Sequence, residues 1–388
     1  MTKMILTINC GSSSIKLLLS RFNDEETMVA RGQIDRIGLN KGSFQLLDWN
    51  GNWLVNEKGA FTSHQQAFER LFQWVKESEF KLDAIGHRVV HGGPNYRNHC
   101  VINDTLMREL KNIMSFNPLH LPSEILGIEF AAKEFPHIPQ VACLDTAFHS
   151  TLPNHARFYA IPRKFGDEGI FRYGFHGLSY EYIMQELGDE APEKVIVAHL
   201  GNGASMAAVK EGTCVDTTMG FTPTEGLMMG TRSGDVDPGL LIYLAAHRNM
   251  NADSLRTLLN QESGLKGVSE LSSDMKELLD AKGNPKANEA LEMFCYRARK
   301  AIGSLTAALG GCDMLVFTAG IGERSSEIRE KICDGLDAIG IDINPEKNQE
   351  NLPVISKKVS STKVLVMRTN EELMIARHTH RLLLGVKI

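Results

Sequence analysis

The stretch ILTINCGSSSIKLLL, Ile5–Leu19, returns half a chain later as VIVAHLGNGASMAAV, Val195–Val209. Laid residue on residue, Gly201 falls on Gly11 and the polar His199 falls on Asn9. Each copy reads as an apolar strand, a turn of small residues and a second strand. Two hairpins with glycine turns can look alike by turn chemistry alone. What surrounds them favours a duplication: strands interleaved with helices restart once, about half a chain apart. That is the pattern of two α/β domains, not of a short-period solenoid.

Working outward from the first hairpin, Ala67, Leu71, Phe72 and Val75 share one helical face, with Ser63 placed to cap it. Ala84–Val90 reads as a buried strand that runs into His91-Gly92-Gly93-Pro94. Helices are expected after Asp104 and Ser123, and Gln140–Leu144 reads as a strand stopped by Asp145. Beyond the second hairpin, a long helix is expected from about Asn288 to Leu309, then a strand at Met314–Thr318. A helix over Ser325–Ile332, a strand over Lys363–Met367 and a closing helix over Glu371–Leu383 complete the pattern.

Composition narrows the function classes. A chain of 388 residues exceeds one ordinary core and suits two domains of similar size. With 43% hydrophobic and 23% charged residues it has the balance of a globular protein. A net charge of −5 draws it neither to nucleic acid nor to anionic lipid, so any bound anion must be held locally. No stretch approaches the roughly 20 apolar residues of a membrane helix, and the first residues lack the pattern of a signal peptide. The seven cysteines are scattered, without a C-x-x-C pair, which points to neither a disulfide framework nor a zinc site. A cytoplasmic protein is expected.

Three glycine-containing segments follow strands: Cys10–Ser14, Gly201–Ser205 and Ala319–Glu323. Small residues let several backbone N–H groups converge on one anion, and the hydroxyls of Ser12 and Ser14 add donors. Lys16 follows closely enough to neutralise a terminal phosphate. A single such segment is usually only a turn; three in one chain, two of them related by the repeat, point to phosphate binding. Nothing fits G-x-x-x-x-G-K-[ST], and neither GNGAS nor AGIGE completes G-x-G-x-x-G, so P-loop and dinucleotide readings fail.

Arg88 lies inside the apolar strand GHRVVHGG. A buried arginine requires an anionic partner, and either a structural carboxylate or a bound substrate would serve. Arg232 sits in the glycine-flanked loop MGTRSGD. His120, His149 and His176 each stand beside apolar or aromatic residues, where a histidine is ordinarily a hydrogen-bonded core residue. Their spacing is not that of metal ligands, and H-E-x-x-H is absent.

Taken together, ILTINCGSSSIKL, GHRVVHGG, PLHLPSEILGIE, DTAFHSTLP, YGFHGLSYEYI, HLGNGASMAAV, DTTMGFTPTEGLMMGTRSGDVDPG, FTAGIGERSSEIRE and TNEELMIAR resemble the acetokinase family. The match is collinear from Ile5 to Arg377, and GFTPTEGLMMGTRSGDVDPG is long and specific. The resemblance implies two duplicated ribonuclease-H-like domains of the acetate and sugar kinase, heat-shock chaperone and actin superfamily, with a catalytic cleft between them. The expected division is 1–148, completed by a C-terminal helix at about 374–388, and 149–373. It implies reversible phosphoryl transfer from ATP to acetate, giving ADP and acetyl phosphate. It also implies a homodimer and Mg²⁺, or Mn²⁺ in its place. Propionate kinase, a close relative, is the alternative.

Carried over motif by motif, Asn9 and Glu371 correspond to the metal positions, with Glu372 as the neighbouring candidate. Arg88 and Arg232 correspond to the arginines that handle the acyl group and the phosphoryl, Asp145 to an acid/base position, and His176 to a transition-state stabiliser. His120 corresponds to an active-site histidine of smaller role. Val90, Leu119, Phe175 and Pro223 correspond to the acetate pocket. Ser12, Ser14 and Lys16, His199-Leu200-Gly201-Asn202-Gly203 and Gly320-Ile321-Gly322-Glu323-Arg324 correspond to the phosphate and nucleotide loops. Asp274-Met275-Lys276 correspond to residues near the adenosine. Acetate is already ionised, so Asp145 is expected to orient an arginine or a metal-bound water at least as much as to carry a proton. Lys276, where the family often has arginine, and Arg324, where asparagine is usual, are departures that bear on nucleotide preference.

Overall fold

In the computed structural model, residues 2–23 and 25–383 are described, so residues 384–388 of the expected C-terminal segment lie outside it. The chain divides into two units, one of residues up to Ala147 together with those from Asn370 onward, the other Phe148–Thr369. The first unit holds β1 (Lys3–Cys10), β2 (Ser14–Phe22), β3 (Glu26–Asp35), β4 (Gly42–Asp48), β5 (Trp53–Gly59), β6 (Ala84–Val89), β7 (Cys100–Val101) and β8 (Gln140–Leu144) in the sheet order β5-β4-β3-β2-β1-β6-β8-β7. The second holds β9 (Lys194–Leu200), β10 (Ala204–Lys210), β11 (Thr213–Thr217), β12 (Met314–Thr318) and β13 (Lys363–Val366) in the order β11-β10-β9-β12-β13.

Those orders contain the same five-strand plan. In the first sheet β1, β2 and β3 form an antiparallel meander, and β6 and β8 follow in parallel on the other side of β1. In the second sheet β9, β10 and β11 repeat the meander, and β12 and β13 the parallel pair. The two units are therefore duplicated ribonuclease-H-like α/β domains. The first is enlarged by β4 and β5 at one edge and β7 at the other.

Burial explains which runs became central strands. Every residue of β8 and of β12 is buried, as in strands covered on both faces. The helix His64–Glu77 starts where expected, Ser63 Oγ accepting from Gln66 N at 3.3 Å. Its buried face, Ala67, Phe68, Leu71, Phe72 and Val75, packs in the core of the first unit. Each such aliphatic or aromatic side chain contributes about 1.5–3 kcal/mol of burial.

Two expectations need correcting. The β1–β2 ladder pairs Cys10 with Ile15, enclosing Gly11, Ser12, Ser13 and Ser14, whereas β9–β10 pairs Leu200 with Ala204 and encloses only Gly201, Asn202 and Gly203. The ungapped overlay therefore holds up to the turn and slips by one residue beyond it. Asn9 faces Lys16, but His199 faces Ser205, not Met206. The third glycine-containing segment is not an open turn: Ala319–Arg324 forms a short helix directly after β12, with Ala319 at φ +64°.

The helix Glu371–Leu383 buries Leu373, Met374, Ile375 and Ala376, of which Ala376 packs with Ile5, Phe22 and Ala84 of the first sheet. It lies so close over β6 that a Cβ on Gly86 would come within 2.3 Å of Thr379 Oγ1 and 2.7 Å of Ile375 Cγ2. Both neighbours are β-branched and stiff at χ1, so neither swings aside cheaply. Gly86→Ala is expected to cost about 1–3 kcal/mol, read as a lower urea midpoint. Thr379→Ala in the same chain should restore part of that loss.

Candidate active site

In parallel α/β sheets, functional side chains collect beyond the carboxyl ends of the strands. In the first unit β1, β6 and β8 run parallel and deliver Asn9, Arg88 and Asp145 at or just past their ends. Arg88 Nη2 donates to Asp145 Oδ2 at 2.8 Å, and Arg88 Nη1 donates to Glu124 Oε1 at 3.1 Å. Glu124 Oε2 accepts from Val90 N at 2.9 Å, and Asp145 N donates to Val89 O at 2.9 Å. Of the two partners left open for the buried arginine, structural carboxylates are present.

Asn9 Nδ2 donates to Glu371 Oε2 at 3.3 Å and to Glu372 Oε1 at 3.0 Å. These glutamates open the Glu371–Leu383 helix, so the far end of the chain completes the cluster. Burial pushes the Glu371 carboxyl up to about 7, reinforced by Asp145 and Glu372 and opposed by Arg88 and Lys16. Burial likewise pushes Glu124 up to about 7 against the pull of Arg88. For Arg88 itself burial disfavours the charge, but Asp145, Glu124 and Glu371 outweigh it and raise its pKa. An all-oxygen set of two adjacent carboxylates and an amide, partly desolvated, has the chemistry of a hard divalent cation site.

The other expected residues of this unit are placed as follows. Lys16 is exposed opposite Asn9 in the β1–β2 ladder, and Ser12 is exposed and Ser14 half-buried on the turn that Gly11 N closes onto Ser14 O at 2.7 Å. Val90 is buried, whereas Leu119 is exposed; half-buried His120 immediately precedes the helix Leu121–Glu134.

The second unit assembles its own cluster. His176 takes the left-handed conformation, φ +59°, at the start of the helix Gly177–Leu187. Its Nδ1 lies 2.8 Å from Ser205 Oγ, which also bonds Tyr180 OH. The His176 ring stacks on His199 with centroids 4.1 Å apart and planes at 15°. His199 Nδ1 in turn lies 2.8 Å from Ser179 Oγ, which donates to Thr369 Oγ1 at 2.9 Å. Stacking on His199 and the bond to Ser205 hold the His176 ring in this left-handed position.

Around these histidines the backbone is tightly apposed. A Cβ on Gly203 would stand 3.3 Å from His176 Nε2 and 3.5 Å from Arg232 Nη1. Arg232 Nη1 donates to Pro223 O at 3.0 Å, and Gly230 N donates to Asn202 O at 3.0 Å. His176, His199, the Gly201–Gly203 turn, Pro223 and Arg232 thus share one region, with Phe175 buried beside it. Glu323 Oε1 accepts from Ala319 N at 3.0 Å and Thr369 N at 3.2 Å, which ties down the short helix carrying Gly320, Ile321, Gly322 and, at its end, Arg324. Asp274 caps the helix Met275–Asp280 through Lys276 N and Glu277 N, while Lys276 points its charge to solvent.

Sequence reasoning passed over Glu124, Ser205 and Tyr180. Glu124 had a visible signal: Leu121, Glu124, Ile125, Ile128 and Ala131 recur at helical spacing, and all are buried. An acid on the apolar face of a helix needs a buried cation. Ser205 and Tyr180 had none, since a serine in a strand and a tyrosine in a helix are ordinary.

The model of the acetokinase family matches residues 4–377. The acetate kinase of Treponema denticola is 43% identical, the similarity covering 97% of this chain and 98% of that one. The crystal structure of Porphyromonas gingivalis acetate kinase matches with a TM-score of 0.87 at 39% identity, covering 98% of this chain and all of that one. That of a propionate kinase from Francisella tularensis matches with a TM-score of 0.90 at 37% identity, over 98% and 99% of the two chains.

Arg88 is flanked in sequence by two histidines held neutral. Burial pulls His87 down to about 4, although its Nε2 lies 2.7 Å from Gln140 Oε1, and pulls His91 down to about 3. Both pKa values lie below the unfolded value, so the unfolded chain binds more protons as pH falls through 6.5. Each histidine therefore withdraws stability as pH falls from 6.5 toward 4, by roughly 1.4 kcal/mol per pH unit, while Glu124 and Glu371, raised to about 7, add stability as pH falls from 7 toward 4.5. Urea unfolding at pH 7.5 and 5.0 isolates the histidine contribution as a difference: His87→Gln should gain stability relative to the wild type at pH 5.0 compared with pH 7.5.

Proposed function

The chain belongs to the acetokinase family, and from that premise we infer that it transfers the terminal phosphoryl of ATP reversibly to acetate. ATP and ADP are its nucleotide substrates. The observation that best supports this reading is the buried Arg88 held on two carboxylates beside Val90, a cation and a small apolar wall suited to a short carboxylate. Acetate is ionised at neutral pH and needs no activation by a base. The barrier is the approach of one anion to another and the spread of charge on the migrating phosphoryl.

Each residue then acts through fixed charge or shape. Arg88 orients the acetate carboxylate, and Asp145 holds the guanidinium in place. Arg232, anchored on Pro223 O, stabilises charge on the phosphoryl, and His176 donates to the same group, its ring set by Ser205 and His199. Such preorganised donors are each worth about 10²–10³ in rate. By their motifs Val90 and Leu119 of the first unit, and Phe175 and Pro223 of the second, are the residues assigned to the acetate methyl, with His120 in a lesser role. Ser12, Ser14 and Lys16 meet the phosphates. The segments 199–203 and 320–324 hold the nucleotide, and Asp274, Met275 and Lys276 lie at the adenosine. Asn9 and Glu371, with Glu372, hold Mg²⁺, which when bound neutralises phosphate charge.

The chain works as a homodimer. Support comes from the apolar helix Pro238–His247, none of whose residues is buried, with Leu240 46%, Ile242 69% and Tyr243 50% exposed. Among the described residues no helix is long and apolar enough to cross a membrane, and the seven cysteines are free, in keeping with the cytoplasm.

Propionate is the competing acceptor, given the similarity to a propionate kinase. One methylene in an apolar pocket is worth only about 1–3 kcal/mol, so acetate is preferred without propionate being excluded. Steady-state turnover with acetate, propionate and butyrate, using ATP and GTP, tests the reading: ADP release should depend on the acid and be fastest with acetate. Acid-independent hydrolysis would refute it. Val90→Ala should raise propionate kcat/KM relative to acetate by about tenfold; an unchanged ratio removes Val90 from the pocket. In Glu371→Gln the Mg²⁺ concentration giving half-maximal rate should rise about 10- to 100-fold.

A further inference from the structure

Glu124 is fully buried, and its two oxygens do different things: Oε1 accepts from Arg88 Nη1 at 3.1 Å, and Oε2 accepts from Val90 N at 2.9 Å. Asp145 alone already pairs the guanidinium. A second carboxylate there adds nothing that attracts an anion, and the carboxyl groups of Glu371 and Glu372 stand nearby beside Asn9. By charge alone, Glu124 should oppose an anionic acceptor. We infer that Glu124 is a positioning residue for the acyl acceptor, holding the plane of the Arg88 guanidinium and the Val90 wall of the pocket through one carboxylate. The inference rests on the proposed acetate kinase reading and extends it to a residue outside the site residues expected from the motifs.

The helix that carries Glu124 is firmly seated. Leu121, Ile125, Ile128 and Ala131 are buried with it, and Gly127 lies so close to Phe68 that a Cβ there would meet the ring at 2.6 Å. A carboxylate on this support has little freedom, so it transmits a fixed position to both donors. Arg88 carries five N–H donors, and the bonds to Glu124 and Asp145 occupy two of them, one on each terminal nitrogen. The orientation of the others follows.

Glu124→Gln separates geometry from charge. A glutamine offers one oxygen for two donors, so its NH₂ must face either Arg88 or Val90 N, and one of the two loses its anchor. If positioning dominates, kcat/KM for acetate falls about 10- to 100-fold. The ATP KM stays within about twofold, and the propionate-to-acetate ratio changes. If the negative charge dominates, removing it lowers the acetate KM. Glu124→Asp keeps the charge but is too short to reach both donors, and should also lose acetate kcat/KM; it is scored in place of Glu124→Gln should that variant not fold. A fall in urea midpoint with acetate kcat/KM unchanged or improved overturns the role of Glu124. Wild-type chain without acetate-dependent ADP release overturns the proposed function and this inference together, whereas normal wild-type turnover with an unimpaired variant overturns this inference alone.

Discussion

A guanidinium removed from water must be paired, and much of the first unit is arranged around that requirement at Arg88. The strand carrying it is central and apolar, so its charge cannot reach solvent by bending aside. Asp145 at the end of β8 and Glu124 on the helix Leu121–Glu134 therefore converge on it from two elements. Breaking a pair of this kind strands a charge and costs about 3–5 kcal/mol, more than any single apolar contact nearby. The same pairing ties three elements together at the ends of the parallel strands, where the fold already brings side chains to one edge. Stability and chemistry depend here on one group.

Beside it stands the opposite situation. Asn9, Glu371 and Glu372 collect negative charge without an arginine of their own, and burial drives the Glu371 carboxyl toward neutrality. A carboxylate pair and a paired guanidinium are thus built next to each other at one set of strand ends. Asp145 connects them, since it pairs Arg88 and also raises the Glu371 pKa.

Much of this was legible in the sequence, for definite reasons. Strands such as Gln140–Leu144 are covered on both faces, so their apolar runs are continuous and end where a polar residue begins. Arg88 was legible because an arginine in such a run demands an explanation. The strands β3, β4 and β5 were missed because they have one face toward solvent and mix polar with apolar residues. The helix at Ala319–Arg324 was read as a turn because glycine favours turns and disfavours helix interiors, and the deciding interactions, Glu323 to Ala319 N and Thr369 N, lie outside any local pattern. The one-residue slip between the hairpins did leave a trace: the ungapped overlay sets Lys16 on Met206 and Ile15 on Ser205, whereas the ladders set Lys16 on Ser205. Partners distant in sequence, such as Glu371 for Asn9, were reached through family resemblance and not through any local pattern.

The helix Glu371–Leu383 belongs to the first unit although it is nearly the last part of the chain to be made. Residues up to Ala147 leave the ribosome without the side chains of Ile375, Ala376 and Thr379 that pack on β1 and β6, and without the carboxylates that Asn9 binds. The second unit, by contrast, is one uninterrupted segment and can complete its sheet as soon as β13 emerges. The second unit can therefore close its sheet before the first has all of its residues, a departure from the usual N-terminal-first course. A truncated product that stops before Glu371 has a finished second unit and an open first one, a natural handle for quality control.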